Sequence, residues 1–258
     1  YKNEPIPEIT AIALSESDYW FGGNGKIAYV NRYKPEEITF FDRLNGVPEA
    51  IISALFVDSY GDLWIGTDNS GIYRKKTDSN RIRPFFISSN SLENAINGID
   101  GANKTIWVAS NNGAFSIDMI TGNREYYNTS TGLPHNRIHD ILVGKDGRVW
   151  VATITSGLYC LSDDFQYRIK GNPKLDFFSL AEDKEGAIWA GTYGDGVFKF
   201  AGDTLEYFNT ESGLKSDFAY FYARFLDFSS FISIFFLTFC VHMNMYLEPK
   251  TPACPTRQ

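Results

Sequence analysis

The sequence predicts an all-β protein, a β-propeller of about five four-stranded blades, on three observations. Five tryptophans, Trp20, Trp64, Trp107, Trp150 and Trp189, follow one another at 44, 43, 43 and 39 residues. Around each of them the same order of apolar runs and glycine turns recurs. Of the 258 residues 16% are aromatic and 22 are glycine, a supply of strand and turn formers without the 3.6-residue stripes of helices. A repeat of about 40–45 residues holding four short strands is the size of one propeller blade. A lone four-stranded sheet cannot bury both of its faces, whereas blades stacked around an axis can.

The elements of the repeat follow in a fixed order. An apolar first strand, "AIISALFV" or "RIHDILV", is closed by a turn such as "DSYGD", "GKDGR" or "DKEGA". Asp58 and Asp183 hold matching places before these turn glycines, where an Asp side chain stabilises a turn through nearby backbone N–H groups. The Trp strand comes second, as in "DLWIG", "TIWVA", "RVWVA" and "AIWAG", with a fainter first copy in "DYWFG". Two residues after each Trp stands a small residue: Gly22, Gly66, Ala109, Ala152 and Gly191. A small side chain there leaves room for the neighbouring blade, and the Trp itself reads as a wedge between sheets. A polar loop ending in Gly leads to a third strand marked by Tyr73, Phe115, Tyr159 or Phe198. A fourth strand, "REYYN" or "LEYFN", and a long loop, "NTSTGLPHN" or "NTESGLKSD", complete the unit.

The grammar stops near residue 217. Residues 1–217 carry the blades, and 218–258 form a divergent apolar tail in which no glycine occurs. Phe218–Ala223 still suits the first strand of a sixth blade. Residues 228–247 hold no Asp, Glu, Lys or Arg, a length sufficient to cross a bilayer and hence a route to membrane association. The alternative is a tail whose apolar side lies against the last blade. With five copies only, the expected ring is an open arc, and a closed five-bladed ring is the competing geometry. The start, "YKNEPIPEIT", has neither Met nor a charged-then-apolar leader, and reads as a fragment of something longer.

Chemistry is sparse. The net charge of −7, without a Lys/Arg cluster, argues against a nucleic-acid partner. Cys160, Cys240 and Cys254 make neither a disulfide framework nor a metal-ligand spacing. "GGNGK" at Gly22–Lys26 lacks the glycine and the Ser/Thr that a phosphate loop needs. No nucleophile elbow and no distinguishable carboxylate pair emerges, so no catalytic residue, metal or cofactor is expected. What varies between copies lies on one rim. In an up-and-down blade the second-to-third loops and the inter-blade loops share that rim. It carries Asp68, Asn69, Asn111, Asn112, Thr155, Tyr193 and Asp195, with Asn94, His135, Asn136 and Arg137 from the inter-blade loops. Amides and carboxylates beside an aromatic face suit a hydroxyl-rich small molecule such as an oligosaccharide. Tyr193 is the expected platform, with Asn112 and Asp195 as polar partners. His139, inside a strand, reads as packed or facing the axis.

The repeat resembles that of the two-component regulator propeller family, whose pattern appears here as "IISALFVDSYGDLWIGTDNSGIYR" and "FFSLAEDKEGAIWAGTYGDGVFKF". "GLPHNRIHDIL" is similar to the linker that joins such blades. The resemblance covers about residues 5–215. It implies the extracytoplasmic, periplasmic sensor part of a hybrid histidine kinase of the kind gut bacteria use to detect polysaccharide breakdown products. The kinase would lie outside this chain, and the full-length sensor would be a dimer. Related repeats in propeller lyases that act on cyclic streptogramin antibiotics imply an alternative, with His135 as the catalytic candidate. A propeller for protein–protein interaction is a third reading.

Overall fold

The computed structural model describes residues 6–161, 166–167, 175–202, 204–219 and 225–226. Blade 1 is β1 (Ala11–Leu14), β2 (Asp18–Gly22), β3 (Ile27–Asn31) and β4 (Lys34–Phe41). Blade 2 is β5 (Ile52–Val57), β6 (Leu63–Thr67), β7 (Ile72–Lys75) and β8 (Ile82–Phe86). Blade 3 is β9 (Ile96–Ala102), β10 (Thr105–Ser110), β11 (Gly113–Asp118) and β12 (Arg124–Tyr127). Blade 4 is β13 (Ile138–Val143), β14 (Val149–Thr153), β15 (Gly157–Cys160) and β16 (Gln166–Tyr167). Blade 5 is β17 (Phe177–Asp183), β18 (Ile188–Thr192), β19 (Val197–Ala201) and β20 (Thr204–Phe208). Each is an antiparallel meander in sequence order, as the repeat predicts.

Burial is most complete in the second strands of blades 2, 4 and 5 and falls away toward the fourth strands. Every residue of β6, β14 and β18 is buried, because both faces of these strands are covered by sheets. The outermost strands β12 and β20 are almost wholly exposed. Innermost strands neighbour one another in the order β1, β5, β9, β13, β17, and no comparable contact joins β17 to β1 among the described residues. The blades are therefore arranged as an arc.

Apolar clusters fill the seams between blades 1 and 2, 2 and 3, 3 and 4, and 4 and 5. Trp20, Trp64 and Trp150 are buried within three of these seams, and Trp107 packs half-buried against the fourth. The reading of Trp as a wedge holds, with an addition. Trp64 Nε1 donates to Asp58 Oδ2 at 2.8 Å, and Trp189 Nε1 donates to Asp183 Oδ2 at 2.8 Å. The other oxygen of Asp58 accepts the backbone N–H groups of Tyr60 and Asp62. One carboxylate thus holds the turn and pins the wedge. The small residue after the Trp has the expected cause: a Cβ on Gly22 would lie 2.6 Å from Ile52 Cγ2, and one on Gly66 would lie 2.5 Å from Ile96 Cγ2. Both isoleucines open the inner strand of the next blade.

Residues 217–219 bond to blade 5 as an inter-blade segment bonds to the blade before it. Gly196 N donates to Asp217 O at 2.7 Å, as Gly71 N does to Asn94 O at 3.1 Å three seams earlier in the repeat. Ala219 N donates to Thr192 O, as Ile52 N does to Gly23 O. A short β21 (Phe225–Leu226) lies parallel to β17 at Glu182 and Asp183. Asp217–Ala219 and β21 thus both lie against blade 5 on the side away from blade 4. Residues 220–223, the apolar segment 228–247, His242, Cys240 and Cys254 lie outside the described residues. No helix among the described residues is long and apolar enough to cross a membrane.

Candidate functional site

Every inner strand after the first begins with the same irregularity. The ladder shifts register by one residue between Ile52 and Ala54, Ile96 and Gly98, Ile138 and Asp140, and Phe177 and Ser179. The extra residues are Ser53, Asn97, His139 and Phe178. A bulge re-aims its side chain out of the ladder, and here that side chain turns toward the next blade at the varied rim. Ser53 Oγ donates to Ile96 O, and Asn97 Nδ2 donates to Ile138 O at 2.7 Å. Thr10, just before β1, does the same to Ile52 O at 2.6 Å. Three seams are therefore latched by one polar side chain each.

The fourth seam differs. His139 stacks on Phe178, with ring centroids 4.0 Å apart and planes 22° apart. Phe178 in turn meets Tyr193 at 5.3 Å, and Tyr193 meets the edge of Phe218 at 4.9 Å. This ladder of rings runs from a buried His139 to the exposed faces of Tyr193 and Phe218, 65% and 57% accessible. His139 Nε2 has no hydrogen-bond partner among the described residues. Burial pushes its imidazole down to about 4, the nearby Arg137 and His135 push the same way, and Asp176 opposes them. At neutral pH the ring is uncharged, so it offers one donor and one acceptor.

The residues expected from sequence are all on this rim, but they do different things. Asp68 ties its loop to the segment entering β5: its N–H donates to Ile51 O at 3.1 Å, and its Oδ1 accepts Ile51 N at 3.2 Å. Asn69 Oδ1 accepts the Ser70 hydroxyl. Asn111 Oδ1 accepts Asn97 Nδ2 at 3.0 Å, which sets the latch of the third seam. Asn112 Nδ2 donates to Glu93 Oε1 at 3.3 Å. Asn94 is buried and bonded in both directions to the Ser88 backbone, a structural role. Asn136 Oδ1 accepts Thr129 N. His135 Nδ1 accepts Arg137 N at 2.9 Å, which leaves Nε2 to carry the proton. Thr155 has a positive φ of 52° and donates its N–H to Asp176 Oδ1. Asp195 N donates to Thr192 Oγ1.

The structure thus joins His135 with Arg137, and Tyr193 with Phe178 and Phe218. It does not join Tyr193 to Asn112, which belongs to blade 3 with blade 4 between. Sequence reading missed the bulge column. The signal was present, since "IIS", "AIN", "RIH" and "DFF" align Ser53, Asn97, His139 and Phe178 as one variable position opening conserved apolar runs within this chain.

The other rim is spent on its own turns. Asp118 Oδ1 accepts Ile120 N and Thr121 N, and these bonds lower its carboxyl below the usual range. Lys145 Nζ donates to Asp183 O at 2.8 Å, and Lys145 N donates to Glu182 at 3.1 Å. Among the described residues no group of three or more His, Cys, Asp or Glu is placed to hold a metal ion.

The two-component regulator propeller family model matches residues 46–69, 132–155 and 172–194. Each match runs from an inter-blade loop through the inner strand to the loop after the Trp strand, in blades 2, 4 and 5. The extracellular domain of a hybrid two-component system from B. thetaiotaomicron is 20% identical, with a TM-score of 0.63 over 83% of this chain and 30% of that one. A second such domain from the same organism is 20% identical, with a TM-score of 0.60 over 80% of this chain and 29% of that one. A catalytically inactive virginiamycin B lyase from Staphylococcus aureus, crystallised with quinupristin, is 16% identical. Its TM-score is 0.64 over 80% of this chain and 72% of that one. The chain spans less than a third of the two extracellular domains. No curated protein matches it. Identities this low establish the fold, and the matched segments show two-component regulator propeller repeats in blades 2, 4 and 5: this chain is a β-propeller that carries them.

Proposed function

We propose that this chain is a ligand-sensing propeller from the extracytoplasmic, periplasmic part of a two-component sensor, and that it binds an oligosaccharide or similar hydroxyl-rich molecule at the varied rim. One observation carries the reading. At this rim Tyr193 and Phe218 present exposed aromatic faces beside polar loop side chains, while the opposite rim's carboxylates are committed to turns. Exposed aromatic rings next to hydrogen-bonding groups are what a sugar needs, an apolar face and satisfied hydroxyls. The chain's own part in signalling is binding rather than turnover, and a kinase, a membrane connection and dimerisation belong to the whole sensor.

Calorimetry against a panel of neutral and acidic oligosaccharides tests this. Saturable binding without product is expected, weakened by Tyr193→Ala and unchanged by Lys184→Ala on the opposite rim. Affinity that falls equally in both variants, or only in the second, refutes the assignment of the binding face.

The lyase reading has one supporting observation, the shared fold with virginiamycin B lyase. It requires turnover of a cyclic ester antibiotic that is lost in His135→Ala. His135 here accepts a backbone N–H from Arg137, a loop-shaping bond.

A further inference from the structure

We propose that the seam between blades 4 and 5 at this rim is a subsite for an acidic sugar unit, its ring laid on Tyr193 and Phe178 and its carboxylate held by Arg137. The proposal rests on the sensing role above and assigns it two blades and a ligand class.

Three features single out this seam. The first is the missing latch. Thr10, Ser53 and Asn97 each close a seam onto the next inner strand, whereas His139 in the same column turns its ring onto Phe178. The second is an incomplete hydrogen-bond set. His139 is 8% exposed and its Nε2 has no partner among the described residues. Buried polar atoms in folded proteins are nearly always satisfied, so a lone one beside an open aromatic face points to a group that arrives later. A ring hydroxyl fits an uncharged imidazole, which can donate or accept.

The third is charge. Asp68, Glu93, Asp176 and Asp217 on this rim already accept hydrogen bonds from Ile51, Ser88, Thr155 and Thr210. Arg137 is exposed, lies close enough to His139 to depress its protonation, and takes part in none of the ion pairs among the described residues. The seam thus carries an unpaired cation, Arg137, on its blade 4 side, with the Asp195 carboxylate on its blade 5 side. A guanidinium binds a carboxylate through two parallel N–H donors with a charge assistance that a neutral sugar's hydroxyls do not supply. Stacking alone would serve any flat ligand. Stacking, an uncharged hydrogen-bonding ring and a spare guanidinium together describe a uronate.

The test is calorimetry of the whole chain with trigalacturonate and a glucuronate-bearing hyaluronan tetrasaccharide, each compared with its methyl ester. The esters keep the rings and hydroxyls and lose the charge. At least one acid should bind about tenfold or more tightly than its ester, the scale of a charge-assisted hydrogen bond. Arg137→Gln, at an exposed position, should abolish that preference by weakening the acid about tenfold more than the ester. Tyr193→Ala should weaken acid and ester together. Equal binding of acid and ester, or a preference that survives Arg137→Gln, overturns the acidic subsite and leaves the sensing role standing. Absence of binding by every uronate while a neutral oligosaccharide binds does the same. Absence of binding by any sugar overturns both.

Discussion

Acidification should weaken the seam between blades 4 and 5 through one residue, His139. In the folded chain burial holds its imidazole neutral down to about 4, against an ordinary value of 6.5. Between those two values the unfolded chain takes up a proton that the folded chain refuses. Stability is then fully present above the ordinary value and declines as the pH falls toward 4. At about 1.4 kcal/mol per tenfold change in proton activity, the loss approaches about 3 kcal/mol. That is a large share of the roughly 5–15 kcal/mol by which domains are usually stable. Other ionisable groups contribute along this path, so the measurement must be a difference. His139→Asn supplies it, because Asn97 occupies the same column and latches its seam without titrating in this range. Urea unfolding at pH 7, 5.5 and 4 should show the wild type losing about 3 kcal/mol more than the variant. Proton NMR of the imidazole should give a midpoint near 4, with Arg137, Asp176 and His135 the charged or titratable groups facing it. Equal pH slopes in the two proteins, or an imidazole that titrates near 6.5, would refute the reasoning.

Other perturbations probe the scaffold. Trp64→Ala removes a fully buried wedge and its bond to Asp58, and should cost about 3–5 kcal/mol in unfolding free energy. Gly66→Ala drives a methyl into Ile96 and should cost about 1–3 kcal/mol, with partial recovery when Ile96→Val is added; thermal melts of the single and double variants decide it. Asn97→Ala leaves Asn111 and Ile138 without their shared donor and should cost about 1–3 kcal/mol in denaturant unfolding.

The blades were legible because their physics is local and repeated. A Trp with a small residue two positions later is one packing solution, and its recurrence sets the period in the sequence without any knowledge of neighbours. Asp58 and Asp183 were readable as turn residues, but their bonds to Trp64 and Trp189 were not, since six residues of separation say nothing about where an indole N–H points. The rim was identifiable from strand alternation alone. Its inner organisation was not, because His139 sits where an alternating strand would bury it, and only the bulge turns it toward Phe178. The pairing of Tyr193 with Phe178 and Phe218 depends on contact between consecutive blades, which sequence spacing does not encode. Asn112 was grouped with Tyr193 on the strength of sharing a rim, and the intervening blade separates them.

The bulge column has a use for protein engineering. Ser53, Asn97, His139 and Phe178 leave the ladder at equivalent points, and Thr10 stands at the matching place just before β1. Five positions scattered over some 170 residues of sequence therefore behave as adjacent sites on one small dial. A combinatorial library confined to those positions would explore many chemistries around the axis while leaving the Trp wedges and the turns of every member unaltered. Selection from such a library would yield receptors that differ in what they grip and share a common melting behaviour, apart from the cost of each lost latch.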